Sequence, residues 1–277
     1  MEGDSGRAPE GEASSARSRG FGVAAGLDPE VATQLAARCQ ELGYGSAWSN
    51  NTPMASGLET LAAFAEGADE IHLGVAVVAL DKNDPADIAA KIDDLGLPRE
   101  RLWLGIGSGF SKKPLTTMRE SLPGLREAFG DIRLMLAAMG PKMCEFAGAE
   151  FDGVCFNWMT PDFARDARAH VERGAADAGR AAPPVMGYVR TAIGDDARPR
   201  LAKEERFYRD LHHGYRKHFE RLGEEVGTVG VAEPDSAAAK RRLDEFDALD
   251  ITVVRGLASA NLEAMATLAE QAGADPV

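Results

Sequence analysis

No stretch of this sequence approaches the ~18 consecutive apolar residues of a membrane span, and no membrane partner is expected. Positive charge is scarce as well: 31 Lys and Arg stand against 44 Asp and Glu, a net charge of −13. A nucleic-acid-binding protein would usually show a basic face, so nucleic acid is not an expected partner. A small anionic ligand is not excluded, because a few local arginines or lysines suffice for it. There are only three cysteines, Cys39, Cys144 and Cys155, and no CxxC. That number reads as reduced, buried thiols in a cytoplasmic protein. The first twenty residues are rich in Gly, Ser, Glu and Arg and have no apolar core, so they are not a secretory signal. They read as a disordered leader, residues 1–20, ahead of one domain over 21–277.

Several chemical signatures are missing too. No GxxxxGK[ST] is present, so no P-loop is expected, and no GxSxG, so no hydrolase elbow. Without HExxH or CxxC a zinc site has little support. "GIGSGF" (105–110) resembles the dinucleotide fingerprint GxGxxG but ends in Phe110 and comes too late in the chain.

What is present is a repeated pattern of apolar run, short polar link and amphipathic segment. Asp28-Pro29, Asp84-Pro85 and Thr160-Pro161 each pair an N-cap with proline at the first helical position, and Gly140-Pro141 does so more weakly. Ser56 and Glu59 have capping-box spacing. Gly43, Gly67, Gly96 and Gly148 are the expected helix stops. Eight strands are predicted between these marks, over 21–25, 45–49, 71–79, 101–107, 132–138, 152–158, 185–193 and 250–256. Several are continuously apolar, as parallel strands covered on both faces must be. Eight strands alternating with helices predict an α/β protein, a single (β/α)8 TIM barrel, with an open doubly wound sheet as the alternative.

In such a barrel the chemistry sits at the C-terminal strand ends. Gly105, Gly107 and Gly109 share one face of a strand. They either relieve crowding in a narrow barrel or leave a flat floor for an aromatic cofactor. Ser108 and its neighbouring N–H groups are candidates for phosphate contact. Asn157 and Trp158 form either a capping and packing pair or an amide and an indole lining a pocket. Arg190 and Arg255 lie inside apolar strands, which is costly unless each is paired. They are structural ion pairs or anchors for an anion. Lys112 and Lys113 are solvated or reach a polyanionic tail. The stretch from Phe207 through Leu211, Tyr215 and Phe219 to Leu222 has helical spacing and predicts an amphipathic helix, with His212, His213 and His218 near its solvated face. The connections 108–120 and 194–249 are candidates for lids or oligomer contacts.

In order and spacing, "LGYGSAWSNNTP" (42–53), "IHLGVAVVALDKNDPADIAAKI" (71–92), "RLWLGIGSG" (101–109) and "AAMGPKMCEFAGAEFDGVCFNWMTP" (137–161) resemble the luciferase-like monooxygenase family. "YVRTAIGDDA" (188–197) and "YRKHFERLG" (215–223) match as well. The nearest resemblance is to an actinobacterial branch described as oxidoreductases dependent on the deazaflavin coenzyme F420. It implies a barrel that binds a flavin or deazaflavin at its C-terminal mouth. It also implies a bulge with a non-prolyl cis peptide within Ala76-Val77-Val78-Ala79. Gly107, Ser108 and Gly109, with Ala138, Met139 and Gly140, match cofactor-lining loops. Trp158 and Arg190 complete the implied cofactor set, and Asn50, Asn51 and Asn157 are the implied catalytic positions. Many relatives carry an acidic residue or histidine where this chain has Asn50 and Asn51, and an asparagine carries no proton at neutral pH. The expected activity is hydride transfer between F420 and a small organic substrate. The alternatives are an FMN monooxygenase fed by a separate flavin reductase and a non-catalytic flavin-binding barrel. A homodimer is expected from the family.

Overall fold

A computed structural model describes residues 18–52 and 54–274. The chain opens with β1 (Ser18–Gly22), α1 (Pro29–Glu41), β2 (Ser46–Ser49) and α2 (Gly57–Gly67). It continues through β3 (His72–Ala79), α3 (Pro85–Asp94), β4 (Leu102–Gly107) and α4 (Pro114–Phe129). Next come β5 (Arg133–Ala137), α5 (Pro141–Glu150), β6 (Gly153–Asn157), α6 (Pro161–Asp177) and β7 (Val185–Ile193). The last third holds α7 (Ala197–Leu211), α8 (His213–Leu222), β8 (Val231–Glu233), α9 (Ser236–Asp244), β9 (Ile251–Gly256) and α10 (Leu262–Ala272).

Strands β1 to β7 pair in parallel in sequence order, and β9 joins β7 to β1, which closes an eight-stranded parallel barrel ringed by helices. This is the (β/α)8 barrel, not the open sheet. The short β8 was not foreseen; it pairs only with the C-terminal end of β7, from Thr191 to Ile193. β1 starts at Ser18 rather than Phe21, because its register places Ser18 beside Ile251 of β9. Three residues assigned to the leader are therefore strand, and the rest of that leader lies outside the described residues.

The helix starts are as expected in three places. The Asp28 carboxylate accepts from the Glu30 and Val31 N–H groups, Asp84 from Ala86 and Thr160 from Phe163. Each precedes a proline at the first helical position, so one orphan donor is removed and another satisfied. Gly43 and Gly96 end helices in the left-handed region, at φ 77° and 61°. Gly148 does not. It lies inside α5, where a Cβ would stand 2.0 Å from the Val171 carbonyl oxygen of α6, and Gly174 faces the Glu145 carbonyl as closely. The glycines are there because α5 and α6 cross almost backbone to backbone. Of the connection 108–120, residues from Pro114 onward are already α4, and 194–249 carries three helices and a strand.

The barrel interior is filled by a few large side chains. Trp48, Trp103, Met135, Tyr188 and Val253 point inward, and small residues stand opposite them. A Cβ on Gly74 would lie 2.2 Å from the Trp48 ring, and one on Gly20 would lie 2.6 Å from Ser46 Oγ. Large and small residues must alternate around so narrow an interior. The three cysteines are buried and unbridged, and burial pushes the Cys39 thiol up to about 12.

Candidate functional site at the barrel mouth

The peptide bond between Ala76 and Val77 is cis, and the β3–β4 register slips between Ala76 and Val78. The bulge therefore falls where the resemblance implied. Gly105 makes room for it: a Cβ there would lie 2.7 Å from the Val75 carbonyl oxygen and 3.0 Å from Ala76 Cα. What approaches the backbone at Gly105 is thus the neighbouring strand. Gly107, two residues on, faces the same interior but is looser, its nearest neighbours being Val77 Cγ2 at 3.1 Å and Ala137 Cβ at 3.7 Å. Gly109 plays a third part. It turns the chain at φ 60°, against the Asp81 carboxylate, which accepts from the Phe110 N–H at 3.0 Å. The three glycines are therefore not one floor; at Gly107, which is buried, an added Cβ would meet Val77 and Ala137 side chains, with no backbone among its nearest neighbours.

Across the mouth, Asn157, Trp158 and Arg190 form one cluster. Arg190 Nη1 donates to Asn157 Oδ1, and Asn157 Nδ2 donates to Tyr215 OH at 3.3 Å. The Arg190 guanidinium lies 4.5 Å from the Trp158 ring centre and 5.0 Å from that of Tyr208. Tyr208 and Tyr215 come from α7 and α8, so this helical pair covers one side of the barrel. Three buried polar atoms here have no partner: Asn50 Oδ1, Trp158 Nε1 and Arg190 Nε. One acceptor and two donors are thus left for something else, since a buried polar group without a partner is costly.

Other candidates are placed differently. Asn51 Oδ1 accepts the Gly57 N–H at 2.6 Å, so it closes the start of α2, while Ser56 makes no side-chain cap. Asn51→Ala is expected to cost about 1 kcal/mol of stability, read as a lower urea midpoint at unchanged slope. Val78 and Ala138 point into the layer between strands and helices, because alternate strand residues face opposite ways. Ala79 is half-buried at the end of β3, and Ser108 is half-exposed in the turn after β4. The Met139 carbonyl accepts from Arg221 Nη2 at 2.7 Å, and Gly140 opens α5 without a side-chain cap. Lys112 and Lys113 are exposed.

The helix expected through Phe207 to Leu222 is broken at His212, whose Nδ1 accepts the Gly214 N–H at 3.1 Å and caps α8. The break resets the helical phase, so Phe207 and Leu211 end up exposed. His218, expected near the solvated face, is buried. Its Nε2–H donates to the Trp158 carbonyl at 2.5 Å, and its Nδ1 accepts from Arg221 Nη2 at 2.8 Å. Trp158 sits at φ 52°, a left-handed conformation costly for a bulky residue, and His218 holds its carbonyl. Spacing carried this signal: His218 is three residues after Tyr215 and four before Leu222, on the apolar face. Arg255, which pairs with Arg190 in the β7–β9 register, is buried as well. Neither arginine has a carboxylate within ion-pair distance among the described residues, so the reading as structural ion pairs is overturned.

Two cavities lie away from this cluster. One of about 560 Å³ is at the opposite end of the barrel, beside Trp103, Arg133 and Asp152. The other, about 430 Å³, runs between α2 and α3 past Asn51, Val78 and Lys82. No group of His, Cys, Asp and Glu among the described residues could hold a metal, and no helix there is long and apolar enough to cross a membrane.

The sequence profile of the luciferase-like monooxygenase family matches residues 11–133 and 119–276. A curated relative, 5,10-methylenetetrahydromethanopterin reductase of Methanolobus tindarius, is 28% identical over 179 residues, which cover 51% of this chain and 54% of the relative. The match thus spans about half the length of that relative. Among solved structures, the coenzyme F420-dependent tetrahydromethanopterin reductase of Methanopyrus kandleri superposes with a TM-score of 0.72 at 17% identity, covering 93% of this chain and 97% of that one. The oxygenating constituent of 3,6-diketocamphane monooxygenase from Pseudomonas putida, in complex with FMN, gives 0.67 at 14% identity, covering 93% and 97%. At these identities the structural likeness speaks for the fold.

Proposed function

Since the chain belongs to the luciferase-like monooxygenase family, we propose that it is an oxidoreductase that uses the deazaflavin coenzyme F420 to transfer a hydride to or from a small organic substrate. The observation that carries this reading is the barrel mouth: Gly107, a position of the inner wall without a side chain, beside the Ala76–Val77 bulge, together with three unpartnered buried polar atoms at or just past the ends of β2, β6 and β7, namely Asn50 Oδ1, Trp158 Nε1 and Arg190 Nε. One open acceptor and two open donors suit a flat ring edged with carbonyl and N–H groups. The structural neighbour named as a coenzyme F420-dependent tetrahydromethanopterin reductase supports the deazaflavin. The FMN-bound neighbour supports the second reading, a monooxygenase supplied by a separate flavin reductase.

When bound, the coenzyme would supply the carbon that gives or takes the hydride. The chain supplies position. Ala76, Val77 and Gly107 would back the ring, Asn50 Oδ1 would accept from it or from the substrate, and Trp158 and Arg190 would donate. Ala79 at the end of β3, with Ser108, Gly109, Met139 and Gly140 of the rim loops, would meet the coenzyme's side chain. None of Asn50, Asn157, Trp158 and Arg190 exchanges a proton at neutral pH. Burial pushes the Tyr215 phenol further up, and both His218 ring nitrogens are occupied. The substrate is then one whose reduction draws its proton from water, such as an imine or an activated alkene. We place the protein in the cytoplasm, as a homodimer acting on a small molecule.

The test is a parallel titration of the purified protein with F420 and with FMN, followed by cofactor fluorescence. Tight F420 binding with weak FMN binding, and oxygen-independent turnover of enones or imines, is the expected result. Preference for FMN with oxygen-dependent turnover would replace it by the monooxygenase. Binding without turnover on any such substrate would leave a non-catalytic flavin-binding barrel, and binding of neither would end the cofactor reading.

A further inference from the structure

Arg190 and Arg255 stand side by side on adjacent strands, in register, at the C-terminal end of the barrel. Inward-facing Met186 and Tyr188 precede Arg190 on β7 and Val253 precedes Arg255 on β9, so strand alternation aims both side chains into the interior. They are 3% and 8% exposed. Two like charges buried together repel and lose hydration, and such an arrangement is normally neutralised by carboxylates. Here, among the described residues, no carboxylate lies within ion-pair distance of either. Glu204 on α7 acts on Arg255 only from farther off. Arg190 spends Nη1 on Asn157 and stacks on Trp158 and Tyr208, and its Nε is buried with no partner. Arg255 makes one long hydrogen bond, from Nη1 to the Gly256 carbonyl at 3.3 Å. Gly22 lets these side chains close in: a Cβ there would lie 3.0 Å from Val253 Cγ1, 3.1 Å from Tyr188 Cε1 and 3.4 Å from Arg255 Cδ.

Most of the ten N–H donors on these two positive charges thus have no protein acceptor, at positions only a few per cent exposed, and Arg190 Nε is out of reach of solvent as well. We propose that Arg190 and Arg255 together bind an oxyanion, a carboxylate or phosphate, at the barrel mouth. The guanidinium fork matches either group bidentately. The oxyanion belongs to the substrate or to the cofactor side chain. In the first case the inference rests on the function proposed above and narrows its substrates to anionic imines or alkenes. The anion neutralises the pair and tethers the ligand beside the open donors of Trp158 and Arg190.

The test uses the full chain without cofactor, titrated with inorganic phosphate and with succinate at an ionic strength held constant with chloride. Melting temperature and tryptophan emission are the readouts, Trp158 being stacked on Arg190. The wild type should show saturable binding and a rise in melting temperature. Arg255→Met should weaken that binding at least tenfold. It should also melt higher than the wild type in the absence of anion, by about 2–4 °C for each kcal/mol of repulsion relieved. A merely structural arginine would do the opposite. Arg255→Lys should keep part of the response, and Lys112→Ala should keep all of it. No saturable response in the wild type, or one unchanged in Arg255→Met, would overturn the proposal.

Repeating the titration with FMN against riboflavin, and F420 against its phosphate-free deazariboflavin core, assigns the source. If Arg255→Met erases the preference for the phosphorylated cofactor, the oxyanion is the cofactor's. If phosphate still binds the cofactor-loaded protein, it is the substrate's. A protein that binds phosphate at the arginine pair but no cofactor would refute the proposed function and leave this site standing.

Discussion

Gly107→Leu is expected to leave the barrel folded and to weaken cofactor binding by about 100-fold. The side chain would grow from an inward position near the mouth that carries none. The nearest neighbours of its first atom are side chains, the tip of Val77 at 3.1 Å and Ala137 Cβ at 3.7 Å, and a side-chain tip can yield. The rest of the leucine would occupy the volume assigned to the ring. An overpacking clash costs up to about 3 kcal/mol, and every 1.4 kcal/mol is about tenfold in affinity. Gly105→Ala is the contrast. Its one added atom meets backbone at 2.7 and 3.0 Å, which cannot yield without undoing the β3 bulge, so this variant should lose stability. Fluorescence titration beside thermal melts separates the two. If Gly107→Leu binds F420 and FMN as the wild type does, the cofactor does not lie on that wall.

The second large effect is acid destabilisation through His218. Burial is the main cause that lowers its pKa to about 4; the nearby Arg221 charge adds to it, and the bond to the Trp158 carbonyl works against both. The unfolded value is about 6.5. Between these values the unfolded chain binds the proton and the folded one does not, so stability rises with pH. The contribution is complete above about pH 6.5 and is lost as pH falls toward 4. A difference of roughly 2.5 pKa units corresponds to about 3 kcal/mol at most. Urea unfolding from pH 7 to pH 4 should show this slope, and His218→Gln should flatten it. Glutamine can still donate to the Trp158 carbonyl but does not titrate. An unchanged slope in that variant would show that other groups carry the acid response.

Much of this molecule was legible as a sequence because the signals were local. Asp28, Asp84 and Thr160 cap helices through their own side chains, onto N–H groups two or three residues away, and Pro sets the next φ. The apolar runs marked strands covered on both faces, and their number pointed to closure. Even the bulge at Ala76–Val77 was readable, though only through likeness to a family.

What the sequence could not settle was decided by contacts between residues far apart in the chain. Gly105, Gly107 and Gly109 look alike in sequence. Only the neighbouring strand and the Asp81 carboxylate show that one accommodates a bulge, one faces the mouth and one makes a turn. That the Asn51 Oδ1 takes the Gly57 N–H, six residues on, shows only in the fold. Arg190 and Arg255 are 65 positions apart in the numbering yet adjacent in the barrel, so their shared, uncompensated charge exists only once β7 and β9 pair. Composition, caps and periodicity determined an α/β chain of alternating strands and helices and pointed to its closure, because they act over a few residues. The inventory of groups at its mouth was left to the tertiary structure, because burial and charge proximity are properties of the closed barrel and not of any segment in it.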